Sequence, residues 1–154
     1  DQTERALNEL AVMLGAAALG ALVAAIVTPA MTRRIGPIKW TAATFVVAGA
    51  GAWWGVATAA VWSLVVAGLV IGFAGQAAKV CGDTLVQEWI DEGNRGRVFA
   101  LYDVAINVAL VSGVVFVALL DPQATNAGLT AAAIGIGMVV SGLVYLRCRI
   151  PATT

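Results

Sequence analysis

Residues 40–78 read WTAATFVVAGAGAWWGVATAAVWSLVVAGLVIGFAGQAA, with no charged side chain among them. A helix rises about 1.5 Å per residue and the hydrocarbon core of a bilayer is about 30 Å thick, so one crossing uses about 20 apolar residues. This stretch holds about 40, twice what one crossing can use, and must fold back on itself. The turn is expected at Gly55 to Ala60, because Trp53, Trp54 and Trp62 cluster there. Indoles prefer the headgroup level, where the ring is half dry and the N–H is wet. Two membrane helices joined by a tight turn follow.

The same length rule gives three further crossings. The first span of the chain runs from Leu10 to Ala30 and ends at the basic loop Thr32-Arg33-Arg34-Ile35-Gly36-Pro37. The third continues from the quoted stretch through Gln76, Lys79 and Asp83 to Ile90, where the charged loop Asp91-Glu92-Gly93-Asn94-Arg95-Gly96-Arg97 interrupts it. The fourth covers Val98 to Leu120 and stops at Asp121-Pro122; the fifth covers Leu129 to Leu146 and ends at Arg147-Cys148-Arg149, before Pro151. The expected fold is an all-α polytopic transmembrane helix bundle of five spans, with residues 1–154 in a single membrane domain.

Composition agrees. Of 154 residues, 60% are hydrophobic and 12% charged, and the mean hydropathy is +0.90. Nine basic and nine acidic residues cannot cover the surface of a soluble domain of this size, so apolar surface faces lipid. A formal net charge of zero leaves no field or basic tract to recruit nucleic acid. Histidine is absent, which removes the commonest metal ligand and the commonest general base. No nucleophile and base stand in a recognisable arrangement, so no enzyme, metal site or cofactor is expected. Cys81 and Cys148 lie near the ends of apolar segments on the side assigned below to the cytoplasm and read as reduced, small apolar fillers.

Orientation follows from Lys and Arg in the short connections, which are retained on the cytoplasmic side. Arg33, Arg34 and Lys39 sit in the first connection, Arg95 and Arg97 in the third, and Arg147 and Arg149 in the tail; the second and fourth have none. That alternation places the carboxyl end in the cytoplasm of a cell bounded by a plasma or inner membrane. The leading stretch, with Arg5 against Asp1, Glu4 and Glu9, reads as an interfacial lead-in on the outer side. The chain opens on Asp1 without the basic n-region and short apolar core of a signal peptide, and reads as a piece of a longer protein.

Polar side chains inside spans are costly and each needs a reason. Gln76, Lys79, Asp83 and Gln87 are spaced by three or four residues and so share one face of the third helix. As lining of a water-filled path, Lys79 and Asp83 would bind a solute, carry a proton or exchange salt-bridge partners. Asp83 and Gln87 lie within two turns of the cytoplasmic loop and could equally snorkel or pair locally. Lys79, about three turns in and roughly 16 Å along the axis, is the better candidate for a functional role. On the fourth span Asp103 and Asn107 share a face, which must look into the bundle, either packing on another helix or lining the path. The pairs Gly51/Gly55 and Gly68/Gly72 have the four-residue spacing that lets helices approach closely, and read as packing.

The connections carry a resemblance. Pro29-Ala30-Met31-Thr32-Arg33-Arg34-Ile35-Gly36-Pro37 resembles the degenerate signature loop between the eighth and ninth helices of major facilitator superfamily transporters, although it lacks that loop's usual acidic residue. Asp83-Thr84-Leu85-Val86-Gln87, followed by Asn94-Arg95-Gly96-Arg97-Val98-Phe99-Ala100-Leu101-Tyr102-Asp103 and Asn107, resembles the junction of the tenth and eleventh helices in bacterial members. The resemblance covers nearly the whole chain as helices eight to twelve of the carboxyl-terminal half, and leaves helix seven and the amino-terminal half outside it. It implies that the third span lines a central cavity, the first and fourth face the other half, and the second and fifth face lipid. It further implies that Arg33, Arg34, Arg95 and Arg97 make cytoplasmic gating contacts, although positive-inside bias alone suffices for about half of them; Asp103 is read from its place on the fourth span as an inter-helix contact.

The function so implied is secondary active transport of a small molecule by alternating access, with proton coupling and efflux of an amphipathic compound. Gln76, Lys79, Asp83 and Asn107 form the expected substrate or proton pathway. The partners are the solute, protons, the bilayer and the amino-terminal half of the same transporter. A membrane scaffold or subunit with Lys79 and Asp83 as a structural pair is the alternative.

Overall fold

The computed structural model describes residues 2–58, 61–90, 92–120 and 127–147. Among these residues five helices follow one another: α1 Gln2–Ile35, α2 Pro37–Thr58, α3 Val61–Trp89, α4 Arg95–Leu120 and α5 Ala127–Arg147. The break at Gly36 and the one between Trp89 and Arg95 fall within connections that the sequence marks. The residues Ala59 and Ala60 of the expected hairpin, and the stop at Asp121-Pro122, lie outside the described residues, as does Cys148.

Among the described residues, three helices hold a stretch long and apolar enough to cross a membrane: Thr3–Ile35, Val65–Glu88 and Gly96–Gly113. In α5 the apolar run Ala132–Val144 is shorter. The 22 residues of α2 reach about 33 Å, a membrane's thickness, although Trp, Thr and Gly dilute their apolarity. Large apolar side chains such as Ile26, Leu101 and Leu119 are exposed along α1 and α4, the arrangement expected of a transmembrane bundle whose solvent is lipid.

The basic connection after the first span is mostly helix. α1 continues past Pro29 through Arg33 and Arg34, and the turn to α2 is Gly36 alone. Gly36 adopts φ 87°, and its N–H donates to the Thr32 carbonyl at 2.9 Å, closing the helix end in the left-handed conformation glycine adopts at least cost. Pro37 then opens α2, at a position whose N–H would have no helical partner in any case. Gly36→Ala is expected to cost the full-length protein about 1–2 kcal/mol, the ordinary penalty for an L-residue in this region, read as a lower midpoint in denaturant titration. At the other end of α2, the buried Ser63 hydroxyl of α3 donates to the Gly55 carbonyl at 3.0 Å and ties the hairpin together.

Packing is between backbones. α1 runs along α3; α2 lies between α3 and α5; α4 touches α3 over a short stretch. Lipid supplies no hydrophobic drive between helices, so close van der Waals approach must hold them, and small residues permit it. α1 buries Ala16, Gly20, Ala24 and Thr28, spaced by four and so on one face. A Cβ on Gly20 would run into the Leu69 carbonyl oxygen, and one on Gly72 into that of Ala17. At Gly68 it would stand 2.9 Å from the Met13 oxygen. Between α2 and α5, a Cβ on Gly49 would lie 2.8 Å from the Gly135 oxygen, and one on Gly142 3.0 Å from that of Ala42. Of the glycine pairs singled out in the sequence, Gly68 and Gly72 meet α1, while Gly51 and Gly55 face α3 near Val70 and Ala67.

Candidate functional site

The stripe on α3 begins where the α1 crossing ends. Gly68 and Gly72 precede Lys79 by three and two turns on the same face, so the face held tightly by α1 on one side of the crossing is released on the other. Beyond it, Gln76 is half-buried, Lys79 exposed, Asp83 half-buried and Gln87 exposed. Nothing lies within 4 Å of where a Cβ on Gly75 would stand, so the surface beside Lys79 is open. The opposite face of α3, with Ala67, Ala74, Ala77 and Cys81, is buried. Among the described residues neither Lys79 nor Asp83 takes part in an ion pair.

On α4, Asp103 and Asn107 are exposed, and the Asn107 amide donates to the Asp103 carbonyl at 2.8 Å, a bond within its own helix. Arg97 is exposed at the start of α4. Arg33 and Arg34 are exposed in the last turn of α1, where positive charge complements the helix dipole. The backbone of Arg95 opens α4. The structure therefore gathers Gln76, Lys79 and Asp83 on one uncovered face and leaves the arginines at helix ends.

Two apolar features stand apart from the stripe. A cavity of about 180 Å³ between α2 and α3 is lined by Trp40, Ala43, Thr44, Val47, Val70 and Phe73. Trp40 and Phe73 meet edge to face in its wall, their centroids 6.0 Å apart, and the Trp40 indole N–H donates to the Thr28 hydroxyl at 3.3 Å. The cavity offers no charged group to a solute. Nearby, the buried Cys81 thiol faces the Thr41 hydroxyl, whose oxygen has no partner meeting hydrogen-bond geometry.

A family model described as Major Facilitator Superfamily matches residues 4–154. The chain belongs to the major facilitator superfamily. It is 35% identical over 130 residues to an uncharacterized MFS-type transporter of Mycobacterium bovis and, at the same identity, to one of Mycobacterium tuberculosis. Each match covers 79% of this chain and 28% of the relative, so the chain corresponds to under a third of those proteins. No solved structure matches.

Within this superfamily chain, one site feature escaped sequence reasoning. Tyr102 of α4 presses its hydroxyl end onto Gly82 of α3, where a Cβ would collide with the Tyr102 Oη, and so seats α4 one residue from Asp83. Gly82 offered no signal, because it belongs to neither spaced pair. Tyr102 stood inside the motif that carries the family resemblance, yet a tyrosine near a membrane interface needs no special reason.

Proposed function

We propose that the chain is the carboxyl-terminal portion of a secondary active transporter, its five helices corresponding to helices eight to twelve, with the α3 stripe lining the solute path. Gln76, Lys79, Asp83 and Asn107 form the pathway. Arg33, Arg34, Arg95, Arg97 and Asp103 act at the cytoplasmic end, and the Lys and Arg of the connections and the tail support a cytoplasmic carboxyl terminus. Protons drive the export of a small molecule, and the amino-terminal half of the same transporter supplies the opposing wall.

The observation that carries this reading is Lys79, exposed and without an ion pair among the described residues, in the middle of an apolar membrane helix. A lysine at the bilayer centre costs about 3 kcal/mol on insertion scales, a cost that an aqueous cleft removes. The scaffold alternative needs Lys79 and Asp83 paired between helices, and the exposure of Lys79 weighs against it. The test is Lys79→Cys in a full-length protein whose Cys81 and Cys148 are replaced by alanine. The introduced thiol is expected to react with a membrane-impermeant thiosulfonate in intact vesicles. Inertness under conditions that label the unfolded protein favours the scaffold.

A further inference from the structure

We propose that Lys79 is the anion-binding side chain of this path, so that the transported compound carries a carboxylate, sulfonate or phosphate group. The inference rests on the path reading above and adds the chemical class of the solute. Three observations lead to it.

First, Lys79 is the only cation on the stripe, and it lies deeper than the acid next to it. Asp83 is one turn, about 5–6 Å, nearer the cytoplasmic end of α3. Second, the two side chains do not meet, although an i, i+4 pair on a helix can. The other described acids near this end are Glu88, Glu92 and Asp103; all are exposed, and none pairs with Lys79. Third, the space beside the ammonium is unfilled. Gly75, one turn away on the same face, has no side chain, and nothing stands within 4 Å of where its Cβ would be. Gly72, a turn further, is closed over by the Ala17 backbone of α1. Lys79 thus stands on an open strip of α3 that begins past the contact of Gly72 with α1, with Gln76 on the same face.

An ammonium is a compact, strongly hydrated charge with three donors and no acceptor. On the path proposed above, bounded by the low-dielectric bilayer, it favours an anion over a neutral or cationic solute of the same shape. Asp83, one turn nearer the cytoplasmic end, lies outside this contact.

The test uses the full-length protein with Cys81→Ala, Cys148→Ala and Gln76→Cys, reconstituted in vesicles and labelled with a neutral, water-soluble maleimide. Octanoate, benzoate, benzenesulfonate and phenyl phosphate are compared with the cations octylammonium and benzamidine as protectants. At least one anion is expected to slow labelling while the matched cations do not. In the Lys79→Gln background the anion concentration needed should rise about ten- to hundredfold, the ordinary worth of a charge-assisted hydrogen bond. Protection by cations, protection that survives Lys79→Gln, or protection by none of the anions overturns the proposal. Absence of any labelling at position 76 instead overturns the path reading itself, which keeps the two failures distinct.

Discussion

Replacing Gly72 by leucine is expected to leave the full-length protein misassembled. The Cβ alone meets the Ala17 carbonyl oxygen across the α1–α3 crossing, and a backbone oxygen cannot rotate out of the way as a side chain would. Overpacking typically costs 1–3 kcal/mol where side chains can adjust; here two helices must separate, and about 3 kcal/mol or more is expected. In lipid that separation also removes the van der Waals contact that holds α1 to α3, since nothing hydrophobic drives the pair together. Gly75→Leu is the control, because the same helix, three residues on, has nothing within 4 Å of the added Cβ. Size-exclusion chromatography in mild detergent should show a single monodisperse peak for Gly75→Leu and an aggregated or depleted one for Gly72→Leu. Equal behaviour of the two would mean that the crossing is not where the structure puts it.

The second large effect is functional. Lys79→Gln is expected to lower kcat/KM for an anionic solute by about ten- to hundredfold, from the loss of one charge-assisted contact. Its thermal stability in detergent should change by less than about 0.5 kcal/mol, since the side chain is exposed and pairs with no described residue. Lys79→Arg keeps the charge and should retain most of the activity that Lys79→Gln loses. The measurement is uptake into energised everted vesicles of whichever anion protects position 76 from labelling. A destabilised Lys79→Gln protein would instead point to a structural pair, as the scaffold alternative requires.

Much of this was legible in the residues. The all-helical fold, with its breaks at Gly36 and between Trp89 and Arg95, followed from length against bilayer thickness and from the charged connections. The helix ends were less legible. Residues 32–35 read as a loop from their charges, yet α1 carries them as helix to Ile35, because a helix leaving the hydrocarbon has no reason to stop until Gly36 and Pro37 break it. For the same reason the stretch before Leu10, read as a lead-in, is helical from Gln2.

The partners of each helix were not legible at all. Gly68 and Gly72 announced a close approach, but their spacing says nothing about which helix comes close, and Gly20 on α1 belonged to no pair that stood out. On the candidate site, period and cost sufficed to put Gln76, Lys79, Asp83 and Gln87 on one face. That α1 closes this face at Gly72 and leaves it open at Gly75 depends on where two helices cross, which no local pattern encodes. The seating of α4 by Tyr102 on Gly82 is of the same kind: a contact between residues twenty apart, specified by shape rather than by residue class.

The central claim is that the hydrophilic side of α3 looks into water at the depth of the bilayer. Spin labels at positions 74, 76, 77, 79, 81 and 83 of the full-length protein in liposomes test it most directly, by comparing relaxation from a polar nickel chelate with relaxation from oxygen, which concentrates in lipid. Positions 76, 79 and 83 should favour the nickel chelate, while 74, 77 and 81, buried in the bundle, should respond weakly to both. Dominance of oxygen at position 79 would place that side chain among acyl chains and contradict the account.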